Sequence, residues 1–392
     1  MFFKKNKIQN KDQSEEPSLE DLEKRLNEKS KIKAISSKKK SQSFMRLSLR
    51  ERILFIKQLS ILMRAGVPLF TSLKMLKDQT KSKTMYKIMQ QVISDVENGQ
   101  YLATALGKFK KIFGDLTINI IAVGEISGSL SDNLDHLVLT LKKQQELKRK
   151  IISASVYPIF IIIATLAITV MLTVFFFPKV IPVLKSVNYQ LPWTTRFLIF
   201  ASDLMRNQGI LLSILFIIFI ISIFLLLKVK KIHYWYDNIL LSTPLIKKLI
   251  QTYNVTNISR TLGLLQNSGV GIVRAFQITS TTTPNMIYKS ELNRIAEELL
   301  KGEKISKLMK QRKRLFPPIM FQMIEVGEST GKLSESFFYI SDIYEEEMDD
   351  ITKNLSTVLE PLLLVFMGAL VGFIAVSIIT PIYGITQHLN PR

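Results

Sequence analysis

One phrase in the chain places a glutamate between two glycines, next to further carboxylates. It reads VGEISGSLSDNL and puts Glu125 a few residues before Asp132 and Asp135. Such a group of carboxylates can bind a cation, and an exposed glutamate can contact a basic partner. The spacing lacks the ligand pattern of an EF-hand loop, which weakens the metal interpretation. The structural alternative is that Glu125 places its charge near the free N–H groups at the start of the helix that follows.

The phrase occurs again 203 residues later, as VGESTGKLSESF. Apolar residues recur at helical spacing on both sides of the turn, and Gly128 suits the left-handed conformation that ends a helix. We therefore predict a helix–turn–helix corner in both copies. The shared residues, which are candidates for a structural role or a partner contact, are Gly124, Glu125, Gly128, Leu130, Gly327, Glu328, Gly331 and Leu333.

The other patterns in the chain indicate no catalytic, cofactor or metal site. There is no cysteine and no G-x-x-x-x-G-K-[ST] loop for nucleotide phosphates. The stretch SGVGIVRA has Arg274 where a dinucleotide-binding turn needs its third glycine. The histidines His136, His233 and His388 are scattered along the chain. We predict that the protein is not an enzyme and binds no cofactor.

Three segments without charged residues dominate the middle and the end of the sequence. They cover residues 151–177, 209–227 and 361–384, and each is long enough to cross a bilayer as a helix. Lys and Arg are dense just before the first segment and just after the second, whereas the loop 178–208 carries few. This bias predicts a cytoplasmic N-terminus and an outer C-terminus. It also attributes the net charge of +21 to anionic lipid rather than to nucleic acid.

The offset of 203 residues also aligns the membrane segments. Pro158 falls on Pro361 and Pro178 on Pro381, so each repeat contains a polar domain and the span that follows it. The unpaired middle span then returns the chain, and both polar domains face the cytoplasm. We predict an all-α membrane protein with two duplicated cytoplasmic helical bundles of about six helices each. The predicted regions are a disordered basic tail 1–44, a first repeat domain 45–150, spans 151–177 and 209–227 around an outer loop 178–208, a second repeat domain 228–354, a third span with its lead-in 355–386 and an outer tail 387–392.

Two further alternatives remain open from the residues alone. In the tail, SLEDLEKRLNEKSKI can form a helix capped by Ser18 that contacts lipid or a partner, or it can stay a solvated basic segment. The spans contain no Asp, Glu, Lys, Arg or His, which disfavours a channel or transporter. Thr165, Thr169 and Thr173 could still line a path, although helix packing is their more ordinary role.

The duplicated glycine-glutamate phrase, the Pro-led spans and the stretch LPWT at Leu191 resemble the type II secretion F and type IV pilus platform family, which includes PilC-like and ComGB-like proteins. The resemblance runs from about Leu47 to the C-terminus. It implies an oligomeric platform in the cytoplasmic membrane with six-helix cytoplasmic domains. It also implies an assembly ATPase and pilin or pseudopilin subunits as partners.

The residues just before the first and third spans carry opposite charge. KKQQELKRK aligns with EEEMDDITK, and the acidic copy breaks the usual preference for basic residues at a cytoplasmic flank. We hypothesise that these two helices lie side by side through complementary charge, within one chain or between subunits; the alternative is two independently solvated faces. The residues of the proposed pairing are Lys142, Lys143, Lys148, Arg149, Glu345, Glu346, Glu347, Asp349 and Asp350.

Overall fold

The structure is a computed structural model that describes residues 46–185 and 192–389. The predicted basic tail 1–44, with its helix from Ser18, lies outside the described residues, as do residues 390–392 of the predicted outer tail. The described part of the chain is helical throughout, with no strand, in agreement with the predicted all-α class.

The first repeat begins at a capping box, where the Ser48 hydroxyl accepts from the N–H of Glu51 and the Glu51 carboxylate accepts from the N–H of Ser48. The helices of this repeat are short except for the last one, which continues into the first predicted span. The helices are α1 Leu49–Arg64, α2 Leu69–Gln79, α3 Lys83–Glu97, α4 Leu102–Gly107, α5 Lys110–Ser127 with a kink at Gly114, and α6 Leu130–Met171.

Between the repeats lie a π-helical turn and three further helices. The turn at Leu172–Phe176 comes just before Pro178. In a regular α-helix the ring of Pro178 would clash with a carbonyl one turn earlier, and proline has no N–H to donate to that carbonyl. These helices are α7 Phe177–Lys185, α8 Trp193–Leu226 and α9 Lys230–Leu240. The predicted outer loop 178–208 is therefore largely helical in its described part.

The second repeat reproduces the helix order of the first. Its helices are α10 Pro244–Asn267, α11 Ile272–Thr282, α12 Met286–Leu299, α13 Ile305–Lys310, α14 Pro318–Thr330 and α15 Leu333–Leu389. Helices α2, α4 and α6 begin 203 residues before α11, α13 and α15. The sequence repeat is therefore a repeat of the fold, as the offset predicted.

Both repeats pack around one continuous hydrophobic core. Helix α1 packs on α6 and α10 on α15, and the long helices α6 and α15 also lie against each other. The equivalent residues Phe113 and Phe316 each make an edge-to-face contact at 5.9 Å between ring centroids, but with non-equivalent partners, Phe55 and Tyr288.

In the described part of the chain, three helices are long and apolar enough to cross a membrane, with mean hydropathies of 2.8, 3.2 and 2.8 in their most apolar stretches. They lie within Leu130–Pro182, Trp193–Leu226 and Leu333–Pro381. In α8 the side chains from Ile210 to Leu226 are exposed on all sides of the helix, except for Leu212, which is half-buried. A helix that is apolar all round and uncovered by protein is typical of a segment solvated by lipid.

Candidate functional site

The first corner phrase joins α5 to α6, and its glutamate reaches sideways to α4. The Glu125 carboxylate accepts hydrogen bonds from the backbone N–H groups of Leu102 at 2.5 Å and Ala103 at 2.8 Å. These are the first two residues of α4, whose N–H groups have no partner inside so short a helix. The negative charge lies at the positive end of the α4 dipole. Glu125 therefore holds α4 against α5.

The second corner repeats this arrangement in α14 and α13. Glu328 accepts from the N–H of Ile305 at 2.5 Å and from the N–H of Ser306 at 3.3 Å, and the Ser306 hydroxyl donates to the same carboxylate. Ile305 and Ser306 are the equivalents of Leu102 and Ala103. The same contact at both places indicates that the repeated glutamate has a structural role.

The prediction of which N–H groups Glu125 contacts was wrong in one respect. The sequence suggested the start of the helix that follows, α6, whereas the structure shows the start of the short helix that precedes α5. The physical reason is that helical side chains lean toward the N-terminus of their own helix. At the end of α5, Glu125 therefore leans back beside α4 and away from the turn at Gly128.

The carboxylates proposed as companions of Glu125 do not join it. Asp135 accepts from the Ser60 hydroxyl and forms an ion pair with Arg64 of α1. Asp132 is exposed and contacts only the neighbouring Ser131 hydroxyl, at 3.5 Å. Within residues 46–185 and 192–389, no group of three or more histidine or carboxylate side chains is arranged to hold a metal ion. The cation interpretation of Glu125 thus loses the ligands on which it depended.

The glycines of the corner serve two different purposes. Gly128 and Gly331 adopt φ of 71° and 75°, the left-handed conformation predicted for a helix end. Gly124 and Gly327 lie inside their helices. A Cβ atom on Gly124 would lie 2.9 Å from the Cα of Leu130, and one on Gly327 would clash with the hydroxyl oxygen of Ser336. The missing side chain lets the two helices of each corner touch.

The two corner leucines begin the inner face of the long helices. Leu130 is buried at the start of α6, and Leu333 is half-buried at the start of α15. Both pack on the shared core of the two repeats. Their role is that of the buried stripe which the leucine spacing indicates.

The juxtamembrane parts of α6 and α15 lie side by side within one chain and run in the same direction. Lys143 Nζ is 3.1 Å from Glu345 Oε1, and Lys150 Nζ is 2.5 Å from Asp349 Oδ1. Further toward the membrane, the Thr165 hydroxyl donates to the sulfur of Met367 at 2.8 Å. The two helices therefore stay adjacent from the two repeats into the apolar segments predicted to span the membrane.

Only part of the predicted charged set takes part in this contact. Glu347 pairs with Lys248 of α10 at 3.0 Å rather than with α6. The remaining predicted residues make no ion pair with another described residue; they are Lys142, Lys148, Arg149, Glu346 and Asp350. The register of two packed helices presents one stripe of each to the other, so the residues on the outer faces stay in solvent.

The center of the network is Arg260, which the sequence reasoning missed. Its Nη2 donates to Glu345 Oε2 at 2.7 Å, and the side chains are 5% and 11% exposed. Burial lowers the pKa of Arg260, and the charge of Glu345 opposes that effect. Lys143 meets the same carboxylate, so Glu345 joins both repeats. The available signal was an arginine set between Ile258 and Leu262 in the apolar stripe of α10.

A second polar feature is a cleft of about 1020 Å³ between the first repeat and α11. Arg52 lines it, donating to the carbonyl of Ile112 at 2.6 Å, and burial lowers the pKa of its guanidinium. Two lysines of the rim are paired with aspartates at 2.7 Å: Lys108 with Asp95 and Lys110 with Asp115. Lys111 is exposed. The cleft therefore keeps a modest positive charge that can attract an acidic group.

Two of the three threonines considered as a transport path donate to carbonyls one turn earlier in the chain. Thr169 donates to the carbonyl of Thr165, and Thr173 donates to that of Thr169, each at 2.8 Å. With Thr165 bonded to Met367, all three hydroxyl hydrogens are occupied. The arrangement fits helix packing in an apolar medium.

The histidines lie apart, as in the sequence. His136 is exposed on α6, and His233 lies 3.6 Å from Asp237 in α9. His388 belongs to the end of α15. The described histidines form no pair of a nucleophile and an oriented base. The polar contacts of the corners and of the paired long helices are helix caps and ion pairs.

Comparisons with known proteins agree with this architecture. The family model described as type II secretion system protein F matches residues 55–178 and again 258–381, in the register of the internal repeat. The type IV pilus assembly protein PilC of Thermus thermophilus is 32% identical over 352 residues, covering 87% of this chain and 84% of the relative. The type II secretion system protein F of Aeromonas hydrophila is 30% identical over 344 residues, 88% of each chain.

A third relative, the type IV pilus assembly protein PilC of Pseudomonas aeruginosa, is 29% identical over 332 residues, covering 84% of this chain and 88% of its own. The two regions matched by the family model include both corner phrases, the first predicted span and the third as far as Pro381. The two matched regions cover more than half of the sequence, and the fold repeats in the same register. This chain therefore belongs to the type II secretion system protein F family.

Proposed function

We propose that the protein is an integral platform of the cytoplasmic membrane that couples a cytoplasmic assembly ATPase to the polymerisation of pilin or pseudopilin subunits. Both repeats, each a bundle of about six helices, face the cytoplasm together with the N-terminus, and the C-terminus lies outside. The platform is a homo-oligomer that contacts anionic lipid and has no enzymatic activity of its own. The names of its relatives, which are pilus assembly and secretion proteins, support this role.

The observation that carries the proposal is the order of repeat, span, unpaired span and repeat. A repeat that ends in one crossing leaves the chain on the far side of the membrane. The unpaired span in α8 brings the chain back, so both repeats reach the same side. A platform that receives force from an ATPase needs both domains on the side where that ATPase works.

Labelling of single cysteines tests the topology, and the chain offers a clean background because it contains no cysteine. Exposed positions are available in the first repeat at Tyr101, in the second repeat at Leu300 and in the predicted outer region at Asn207. In intact cells, an impermeant maleimide should label Asn207→Cys and spare Tyr101→Cys and Leu300→Cys. Labelling of Leu300→Cys from outside would mean that α8 does not cross the membrane.

Photo-crosslinking in native membranes tests the partners. Benzoylphenylalanine at Tyr101 or Leu300 should capture an assembly ATPase, and the same group at a lipid-facing position of α8 such as Phe219, 59% exposed, should capture pilin or pseudopilin. The alternative function, a small channel or transporter subunit, predicts capture of a solute-binding protein and no ATPase of the assembly class. The three charge-free segments contain no Asp, Glu, Lys, Arg or His, which speaks against ion transport through them.

A further inference from the structure

Helix α9, Lys230–Leu240, presents an apolar face that no described part of the protein covers. Its sequence is KKIHYWYDNIL, and Trp235, Tyr236 and Ile239 are 65%, 44% and 42% exposed. Ile232, which is half-buried, lies on the same side of the helix, three residues before Trp235 and four before Tyr236. An exposed stripe of this composition requires a partner or an apolar medium.

The opposite face fixes the orientation of α9 on the second repeat. Asp237 is 5% exposed, and its carboxylate accepts from the N–H of Met286 at the start of α12, at 2.7 Å. Arg314 donates to the carbonyl of Asn238 at 3.1 Å and to the hydroxyl of Ser242 at 2.7 Å. These bonds hold α9 with its aromatic face pointing away from the repeat.

The position and the charges of α9 identify what covers that face. The apolar helix α8 ends at Leu226, only a few residues before α9 begins, so α9 lies at the depth where the chain leaves the bilayer. Lys228, Lys230 and Lys231 are exposed in this junction and pair with no acidic group among the described residues. Tryptophan and tyrosine next to lysine are typical of the boundary between lipid acyl chains and headgroups.

We propose that α9 is an interfacial helix, with Ile232, Trp235, Tyr236 and Ile239 inserted at the acyl–headgroup boundary and the junction lysines bound to anionic headgroups. The inference rests on the membrane placement made under the proposed function and adds to it a lipid-binding element. Residues 27–37, which lie 203 residues before α9 and precede the first repeat domain, read NEKSKIKAISS and contain no aromatic residue. Helix α9 thus anchors the second repeat at the membrane surface.

Tryptophan fluorescence tests the proposal in the full-length protein. The chain has two tryptophans, so Trp193→Phe leaves Trp235 as the only reporter. In nanodiscs of phosphatidylcholine with phosphatidylglycerol, its emission should be blue-shifted. Lipids brominated near the headgroup should quench it about twofold more than lipids brominated deep in the chain. Replacing the three junction lysines by glutamine should make the quenching of Trp235 by headgroup-brominated lipid equal in anionic and in purely zwitterionic nanodiscs.

Two matched reporters in a background without native tryptophan provide the controls. Tyr339→Trp, at a site 55% exposed in the cytoplasmic part of α15, should be quenched by acrylamide and not by bromolipid. Phe219→Trp in α8 should be quenched by deep bromines. Quenching of Trp235 by acrylamide to the level of Tyr339→Trp would overturn the proposal, and protection of Trp235 from both quenchers would assign the face to a protein partner instead. If the Phe219→Trp reporter also escapes bromolipid, the membrane placement itself is refuted.

Discussion

Removing the corner glutamate should loosen the short helix that it caps. In Glu125→Ala, the N–H groups of Leu102 and Ala103 lose acceptors at 2.5 and 2.8 Å. Hydrogen bonds to a charged group contribute about 1.5–3 kcal/mol, and charge at a helix N-terminus adds about 0.3–1 kcal/mol. Because the Glu125 side chain is half-exposed, water replaces part of the loss. We expect α4 to open more easily by about 2 kcal/mol.

Amide hydrogen exchange of the full-length protein in nanodiscs measures this opening directly. A local loss of about 2 kcal/mol corresponds to roughly 30-fold faster exchange in a peptide that covers α4. Peptides from α1 and α6 should change little, because their hydrogen bonds do not involve Glu125. The variant Glu125→Gln should fall between the wild type and Glu125→Ala, since it keeps one acceptor oxygen and loses the charge.

The second repeat supplies an internal copy of the experiment and its control. Glu328→Ala should accelerate exchange in α13, where three donors lose their acceptor. Glu325 lies on the exposed face of α14, the helix that carries Glu328, and Glu325→Ala should leave the exchange rate of α13 unchanged. Unaltered exchange of α4 and α13 in the two alanine variants would refute the capping role. If added Ca²⁺ protected α4 in the wild type, the cation interpretation would replace it.

Three further outcomes follow from the same structure. Gly124→Ala places a methyl group 2.9 Å from a backbone atom of Leu130. It should lower the free energy of unfolding by about 1–3 kcal/mol, seen as a lower melting temperature in detergent. A normal melting temperature would mean that the corner is not tightly packed. Glu345→Gln leaves Arg260 buried without its counter-charge and should destabilise the protein by about 3 kcal/mol in the same assay, whereas Glu346→Gln, on the exposed side, should not. Hydrogen bonds from Ser48 lower the pKa of Glu51, so the ionised carboxylate stabilises the start of α1 above its ordinary pKa, and this contribution is lost as the pH falls through the lowered pKa. Exchange at the first turn of α1 should therefore rise in acid relative to Ser48→Ala, and parallel pH profiles of the two proteins would contradict this.

Much of the fold could be predicted because its signals are local or repeated. Charge-free segments long enough to span the hydrocarbon core of a bilayer have few other interpretations. The offset of 203 residues aligned glycines and prolines that end or begin helices, and such residues act through their own backbone. The left-handed Gly128 is an example: its conformation follows from the turn in which it lies.

The target of Glu125 could not be predicted because it depends on tertiary packing. Leu102 precedes Glu125 by 23 residues, and only the packing of α4 beside α5 brings the two together. No spacing rule along one helix encodes such a contact. The repeat does contain a usable signal, since a glutamate kept at both corners, each 23 residues after the start of a short helix, suggests a shared partner at that fixed distance. The same limit applies to Arg260, whose pairing is decided by a helix that begins some seventy residues later.

The two repeats resemble each other where each contacts itself and differ where they contact one another. The glutamate cap and the close glycine are internal to a repeat, so both copies need them. The juxtamembrane helices instead pack in parallel, one from each repeat, and identical copies would bring lysine against lysine along the contact. Opposite charge removes that repulsion, and the exposed Lys57 of α1 corresponds to the buried Arg260 of α10 that meets Glu345. The asymmetry of charge therefore lets the long helices of a tandem repeat lie side by side within one chain.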